Sequence, residues 1–332
     1  MACREYLMWH QDLSYGTAAL SGGAPATGKY HYIRLDTGNA FDMRGRRITS
    51  TIPYGGGFNV PYLRVGKAAN VAGTLKTILY YSQASNLLGW ALTRVNSGRT
   101  TPWTTTDASS VMPPGDLASA TIYHAYMLPD GTFARRAYRG VKVASLRLEC
   151  SADSPLVVAT FGLVAQKHDP NSDMGGSDSA AIGTTEFPGP TNSSWPSDPV
   201  LFQESTGLLK IGSTRTQYQD LSIEVTNNLN PLRYESRFLQ TCRMTGRAGM
   251  LTANMRLKGT PDNRAAFDAL TAQDTEVSWT NGSNTVKIDL NTAAIIDDVT
   301  DDLPIEGEYN QRLSVASFWD GANAGDIVFT YT

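Results

Sequence analysis

Polar and apolar residues alternate along many short stretches of this chain, and this alternation predicts β-strands. In the first half we expect strands at 30–36, 71–80, 120–128, 132–138, 141–149 and 156–164. In the second half we expect strands near 199–210, 216–226, 248–258, 275–281, 285–290, 309–318 and 326–331. The apolar phase slips between Val143 and Leu146, which predicts a β-bulge because a bulge shifts side chains by one residue.

Only two stretches have helical spacing. Residues 83–92 place Leu87, Leu88 and Ala91 on one face, and residues 261–270 follow Thr260 as N-cap and Pro261 at the first helical position. Two helices among many strands predict an all-β fold of two antiparallel β-sandwich or open-barrel modules, each with one packed helix.

The same order of elements occurs twice. A strand (30–36 or 220–226) is followed by an arginine-bearing loop, then by a strand that starts at a glycine, then by a helix. The two glycines, Gly73 and Gly249, lie about half the chain apart. This distance is too long for a solenoid repeat and predicts a duplicated domain.

Composition shifts give the domain boundaries. Residues 1–29 are small and polar, and we expect them to form an arm that becomes ordered only against a neighbouring copy. Residues 30–166 form the first module and residues 199–332 the second. Residues 167–198 are rich in Gly, Ser, Asp and Pro, which is typical of a linker.

The overall composition favours a globular chain that does not grip nucleic acid. The 332 residues are 41% hydrophobic and 18% charged, with a net charge of −3. Phosphate binding normally requires clustered Lys and Arg. The N-terminus shows no apolar signal-peptide region, and no run of about 18 apolar residues predicts a membrane span.

The chain shows no motif for catalysis or for a cofactor, so we expect neither. The histidines lack metal-ligand spacing, Gly55-Gly56-Gly57 lacks the Lys-Ser/Thr of a phosphate loop, and no G-x-S-x-G elbow is present. The cysteines Cys3, Cys150 and Cys242 are widely spaced, which favours reduced thiols.

The densest charge cluster is acidic and is predicted to lie in a loop. Its members are Asp297, Asp298, Asp301, Asp302, Glu306 and Glu308. A solvated surface is one interpretation. The other interpretations are a calcium site, a pair of glycosidase carboxylates, and an acidic channel wall that repels DNA.

Positively charged arginines are concentrated in two segments predicted to be long loops, 38–61 and 227–246. We expect these loops to carry subunit and ring contacts, since arginine pairs well with carboxylates across an interface; solvated loop charge is the alternative. The candidate contact residues are Arg44, Arg46, Arg47, Tyr54, Phe58, Arg233, Arg237, Arg243 and Arg247.

Several segments together resemble the major tail tube proteins of long-tailed bacteriophages. Residues 11–19 are similar to a leading acidic/Tyr-Gly-Thr segment of one tube family. Residues 140–148 followed by 155–163 resemble the closing strand pair of a tube module, and the strand–loop–Gly-strand–helix order appears twice.

The resemblance implies a structural virion protein that polymerises into stacked rings, forming a hollow conduit for DNA. Each module gives a four-stranded sheet to a ring-shaped β-barrel, with its helix outside. Two modules per chain imply a trimer with pseudo-six-fold symmetry, about 24 strands and a backbone diameter of roughly 45–50 Å. Without a true duplication the ring would be a homohexamer.

The resemblance also implies partners and a location. We expect self-contacts, a tape measure protein inside, and terminator and tip proteins at the ends. DNA would transit without specific binding, and the protein would be made in the host cytoplasm for the virion tail. The candidate residues for the lumen or the channel mouth are Glu224, Asn254, Asp297, Asp298, Asp301 and Asp302.

Two other classes remain open from the residues alone. A β-sandwich carbohydrate-binding or adhesive module of a virion is the first, and an enzyme on a β scaffold is the second. Binding modules usually cluster exposed aromatic residues, whereas the tryptophans here are scattered through the chain at Trp9, Trp90, Trp103, Trp195, Trp279 and Trp319.

Overall fold

The fold is taken from a computed structural model, which describes most of the chain. The described residues are 5–12, 30–35, 39–47, 50–54, 58–62, 69–92, 117–127, 129, 133–169, 196, 198–201, 208–212, 214–232, 239–256, 263–282, 284–290, 294–302, 310–317 and 327–331.

Antiparallel strands make up nearly all of the described regular structure. In chain order the first half contains β1 Glu5–Gln11, β2 Tyr30–Arg34, β3 Ala40–Arg47, β4 Ser50–Tyr54, β5 Phe58–Tyr62, β6 Ala69–Ile78, α1 Tyr81–Leu92, β7 Ala120–Met127, β8 Phe133–Ser151, β9 Val158–Ala165 and β10 Lys167–Asp169. The second half contains β11 Leu208–Ile211, β12 Thr214–Thr216, β13 Tyr218–Leu232, β14 Thr241–Arg256, α2 Arg264–Asp268, β15 Thr275–Asn281, β16 Asn284–Asp289, β17 Ile295–Asp302, β18 Asn310–Ser317 and β19 Val328–Tyr331.

One sheet, which we call the shared sheet, runs through both halves in the order β3-β6-β9-β8-β13-β14-β18-β17. All neighbours are antiparallel. On one side its strands bury alternate apolar residues such as Leu148, Ile223 and Leu251 in a single core. The predicted all-β antiparallel sandwich is confirmed.

An outer sheet packs over each half of the shared sheet. The first has the order β10-β8-β7-β1-β2, and the second has the order β19-β16-β15-β11-β12. Strand β8 takes part in both sheets: it pairs with β7 and β10 up to about Gly140, and with β9 from Lys142 onward. Gly140 has a φ of 61°, a backbone conformation that glycine adopts without strain. In the second half two separate strands, β16 and β17, take the place of β8.

The two halves therefore have the same strand order in both of their sheets. This order corrects one detail of the sequence interpretation. The strand at 30–36 is β2 of an outer sheet, whereas 220–226 belongs to β13 of the shared sheet. The first-half strand in the position of β13 is β3, which the sequence had placed in a loop.

Several other expectations fail in a similar way. The segment 227–246 is not a loop in its described part, because β13 and β14 pair as far as Leu232 and Thr241. The loop 38–61 contains β3 and the β4–β5 hairpin. The acidic run is not a loop in its described part, because Asp297 to Asp302 lie on β17.

The predicted arm is wrong in its described part. Strand β1 pairs with β2 and β7 of its own chain, and Tyr6 to Trp9 are all buried. Residues 5–11 are therefore ordered by their own outer sheet. The division of the chain into arm, modules and linker stays a prediction.

Predictions that depend on local sequence patterns agree better with the structure. The expected bulge is confirmed, because the β8–β9 register shifts between Val143 and Ser145. The hairpin at 120–138 is confirmed as β7–β8 and belongs to an outer sheet. The helix at 83–92 is confirmed, whereas α2 begins later than expected, with Asn263 as its N-cap; Thr260 and Pro261 lie outside the described residues.

The two glycines that reveal the repeated order lie where neighbouring strands come too close for a side chain. A Cβ on Gly73 would overlap the carbonyl oxygen of Asp42, and one on Gly249 would meet Ile327 and Ser317. We expect Gly73→Ala and Gly249→Ala each to lower the free energy of unfolding by about 1–3 kcal/mol, measured by urea denaturation. Gly246→Ala is the control, because its nearest neighbour would be Asn228 at 3.6 Å. An unchanged midpoint for Gly73→Ala and Gly249→Ala would contradict this close packing.

Candidate assembly surfaces

The two halves are joined by a central seam, which we define as β8 residues 145–151 paired with β13 residues 220–226. The seam is an ordinary antiparallel ladder, in which Leu146 lies opposite Val225 and Leu148 opposite Ile223 on the core side. On the other side Arg147 lies opposite Glu224. In the shared sheet, β8 of the first half thus pairs directly with β13 of the second half.

The shared sheet ends in two edge strands, β3 and β17. Within the described residues, β3 pairs only with β6 and β17 pairs only with β18. Each strand therefore presents a row of backbone N–H and C=O groups without a partner strand on its outer side. Such edges are templates for pairing with another chain.

Both edge strands expose charged side chains. On β17, Asp297 and Asp298 are exposed. On β3, exposed Arg44 lies 2.9 Å from Asp42, and the hydrogen bond to this carboxylate raises the pKa of Arg44. Arg46 and Arg47 are part of β3, but their side chains lie outside the described set.

A further member of the acidic run, Asp301, differs from Asp297 and Asp298. Asp301 is half-buried, forms an ion pair with Arg264 of α2, and accepts a hydrogen bond from Gln311 Nε2 at 2.9 Å. This carboxylate ties α2 to the sheet. The Asp302 side chain lies outside the described set, as do Glu306 and Glu308.

The side of the shared sheet that faces away from the core, which we call the polar face, carries charges of both signs. The residues that line an open depression there include Lys76, Arg147, Glu149, Asp220, Glu224, Met250 and Arg312. Arg147 Nη2 lies 2.7 Å from Glu149 Oε1. Glu224 is exposed on this face and Asn254 is half-buried in the same alternation. The polar face is thus mixed in charge rather than acidic.

A two-stranded extension of β13 and β14 continues past the sheet, and we call it the projecting hairpin (227–232 and 241–247). In this stretch β13 and β14 pair with each other, while β8 and β18 have already ended their ladders. Arg243 is exposed on it. Arg233 and Arg237 lie outside the described residues. In the first half Tyr54 and Phe58 are register partners in the β4–β5 hairpin.

Arg247 lies at the base of the projecting hairpin and contacts its own chain. Its Nε donates to Asn227 Oδ1 at 2.7 Å and its Nη1 donates to the carbonyl of Leu92 at 3.0 Å. Asn227, buried to 2% exposure, donates to the carbonyls of Ala91 and Val143, each at 3.0 Å. The bonds to Ala91 and Leu92 satisfy carbonyls at the C-terminus of α1, where the last carbonyls of a helix lack intrahelical partners.

The sequence analysis missed Asn227, and it also missed Lys142, whose Nζ donates to the carbonyl of Cys242 at 2.6 Å. Both residues connect the first half to the projecting hairpin. Neither signal is visible in the sequence, because both partners lie far away along the chain.

The described part of the chain offers little for other chemistry. No group of three or more His, Cys, Asp or Glu residues there could hold a metal ion. Burial raises the pKa of the Cys150 thiol to about 12, so the thiolate is scarce at neutral pH. In that same part, neither helix is long and apolar enough to cross a bilayer.

The described tryptophans pack in the core and are not exposed on the surface. Trp9 stacks on Trp90 at 5.5 Å between ring centres, and Trp90 stacks on Phe161 at 5.9 Å. Trp9, Trp90 and Trp279 are all buried. Trp103, Trp195 and Trp319 lie outside the described residues. An exposed aromatic platform for sugars is therefore not formed by the described tryptophans.

Comparison with known proteins adds an independent finding. The family model for phage tail tube proteins matches residues 14–309, which is most of the chain. A comparison with curated proteins finds no match.

Proposed function

The chain belongs to the phage tail tube protein family and is a structural protein of the virion tail. From this premise we propose that it polymerises into stacked rings that form a hollow conduit for DNA. The observation that carries the proposal is the shared sheet, which crosses both halves and ends in two edge strands. A sheet of this kind is completed when copies pair edge to edge, because closure removes the edges.

The two halves act as repeats of one module in this proposal. The central seam joins the last shared-sheet strand of one half to the first strand of the other. The same antiparallel pairing, made between β17 of one copy and β3 of a second copy, would add the next two modules to the sheet. Three copies would close a ring of about 24 strands with pseudo-six-fold symmetry.

The repeated order also gives the register of the proposed seam between copies. Gly73 pairs with Met43 as Gly249 pairs with Val225, so Met43 takes the place of Val225. Ile296 pairs with Val315 as Leu146 pairs with Phe161. Val315 and Phe161 are equivalent in the two halves, because each pairs with the leucine two residues after the repeated glycine. Ile296 therefore takes the place of Leu146. Met43 would then lie opposite Ile296, and Phe41 opposite Val299.

Charge distinguishes this seam from the central one. On the polar face the register places Asp42 opposite Asp298, where the central seam has Glu224 opposite Arg147. Two carboxylates in direct opposition repel each other. Exposed Arg44, which already contacts Asp42 at 2.9 Å, is close enough in sequence to neutralise both. Asp297 and Asp298 thus become seam residues as well as residues of the channel wall.

The polar face would line the lumen. Its mixed charges, with Glu224 and Asn254 among them, give DNA no continuous band of cations to bind. DNA would pass without specific binding. The tape measure protein would occupy the same lumen, and terminator and tip proteins would cap the ends.

The two hairpins are the proposed contacts between stacked rings. The β4–β5 hairpin carries Tyr54 and Phe58, and the projecting hairpin carries Arg243. Arg44, Arg46 and Arg47 lie on β3, which precedes the first hairpin, and Arg233 and Arg237 fall between β13 and β14 in the sequence, outside the described residues. Arg247 positions the base of the projecting hairpin through Asn227 and Leu92.

Electron microscopy of the purified wild-type chain tests this function. We expect rings or tubes, with a ring mass of three chains and six similar densities around the axis. A ring mass of six chains would support the homohexamer instead. A chain that stays monomeric at every concentration and salt level tested would contradict the proposed function and favour a virion binding module.

A further inference from the structure

The two helices occupy equivalent places but differ in how far they are covered. Helix α1 lies on β8 and is also covered by β16 and β19 of the second half. Among its described side chains only Ser82 is exposed. Helix α2 lies on β17, but none of its residues is buried. One side of α2 is therefore open where the matching side of α1 is closed.

The end of α2 carries an apolar side chain in an unusual conformation. Leu270 is 69% exposed, and its φ of 50° is in the left-handed region that favours glycine. Its N–H donates to the carbonyl of Phe267 at 3.0 Å, so the residue ends the helix. Glycine would suit the backbone better at this position, and most of the leucine side chain stays exposed in its own chain.

We propose that α2 and Leu270 dock against the outer sheet of the next copy, on the part of β8 at 133–139 and on β10. These strands hold the positions in the first outer sheet that β16 and β19 hold in the second. The occupant is thus a second copy of this chain, and the contact repeats the cover that α1 receives within the chain. This inference rests on the proposed function, because it requires β17 of one copy to pair with β3 of the next.

The docking gives each seam two layers. In the inner layer the edge strands would pair through their backbones, and in the outer layer an apolar helix end would be buried. A backbone ladder alone has little side-chain specificity, whereas a buried leucine adds an apolar contact that favours the correct register.

Three variants of the full-length chain test the inference. Leu270→Gln is expected to raise the concentration needed for ring or tube formation by about tenfold or more, as measured by sedimentation and microscopy. Met250→Gln is the matched control. Met250 is the other large apolar side chain that is exposed in the described part of the chain, at 42%, and it lies on the polar face on β14, two strands from the edge strand β17.

The third variant separates docking from backbone strain. Leu270→Gly fits the positive φ, so the monomer is expected to melt at the same temperature or higher, yet assembly should be impaired as in Leu270→Gln. Wild-type tube formation by both Leu270 variants would overturn this inference and leave the proposed function standing. The absence of any rings from the wild-type chain would instead overturn the proposed function, and this inference with it.

Discussion

Oxidation of a chain that carries Asp42→Cys together with Asp298→Cys is expected to give disulfide-linked species that end at three chains. The proposed register places these residues opposite each other on the polar face, where cross-strand Cβ atoms lie about 4.5–5.5 Å apart and a disulfide can form. Both positions are exposed in the single chain. The products are resolved by mass on a non-reducing denaturing gel.

The central seam supplies a matched control. Arg147→Cys with Glu224→Cys joins residues that are partners within one chain, so oxidation should consume both thiols without adding mass. Asp42→Cys with Thr300→Cys tests the register, because it is displaced by two residues and should cross-link poorly. The native Cys150 and Cys242 are buried and stay as background, while Cys3 is replaced by Ser.

The pattern of products separates the possible outcomes. A ladder that ends at six chains would support a homohexamer with the same edge pairing. Efficient cross-linking through Thr300→Cys instead of Asp298→Cys would show that β17 pairs with β3 in a register displaced by two residues from the proposed one. Tubes without any cross-link from either pair would contradict pairing between β3 and β17.

Asn227→Ala is expected to lower the free energy of unfolding by about 3 kcal/mol, measured by urea denaturation of the unassembled chain. The substitution removes two hydrogen bonds to the carbonyls of Ala91 and Val143 and leaves both carbonyls buried without that donor. It also removes the acceptor of Arg247 Nε. Since these groups belong to both halves, the projecting hairpin should lose its fixed position.

Two variants show which property of Asn227 matters. Asn227→Asp keeps the acceptor for Arg247 but cannot donate to the two carbonyls, so it should also destabilise the chain. Asn228→Ala changes the adjacent, exposed side chain and should shift stability by no more than about 0.5 kcal/mol. Equal stability of Asn227→Ala and Asn228→Ala would mean that the bonds at the helix end contribute nothing.

Features of this fold that have a local signal are predictable from the sequence. Helix α1 follows from the spacing of Leu87, Leu88 and Ala91, and the bulge in β8 follows from the phase slip after Val143. The family resemblance, carried by the order of elements, is confirmed by the match over residues 14–309. Each of these depends on neighbours within a few residues or on their order along the chain.

Other strands are not predictable from the sequence, because burial on both faces or an unfavourable composition removes the usual alternation. Strand β1 lies between β2 and β7 with consecutive residues Tyr6, Leu7, Met8 and Trp9 all buried, so it has no polar–apolar alternation. Strand β17 is rich in aspartate, a poor strand former, and is held by its ladder with β18. Both strands depend on partners that a local pattern does not reveal.

The candidate contact residues were also only partly predictable from the sequence. The sequence indicated that arginines and aspartates would gather in distinct segments, and Asp297, Asp298 and Arg44 are indeed exposed on edge strands. It did not separate these from Asp301 and Arg247, which are engaged within the chain. Exposure depends on which strand lies at an edge, and edges exist only once the sheet order is known.

The sequence by itself determined the class of the fold, the positions of most strands and of α1, and the family, because these follow from side-chain period, turn residues and element order. Only the tertiary structure decided that β8 pairs with β13, that β3 and β17 are the edge strands, and that α2 stays uncovered. Pairing between distant strands is fixed by burying both halves in one core and satisfying backbone hydrogen bonds. Those two conditions join residues that are far apart in the chain, so no local pattern records them.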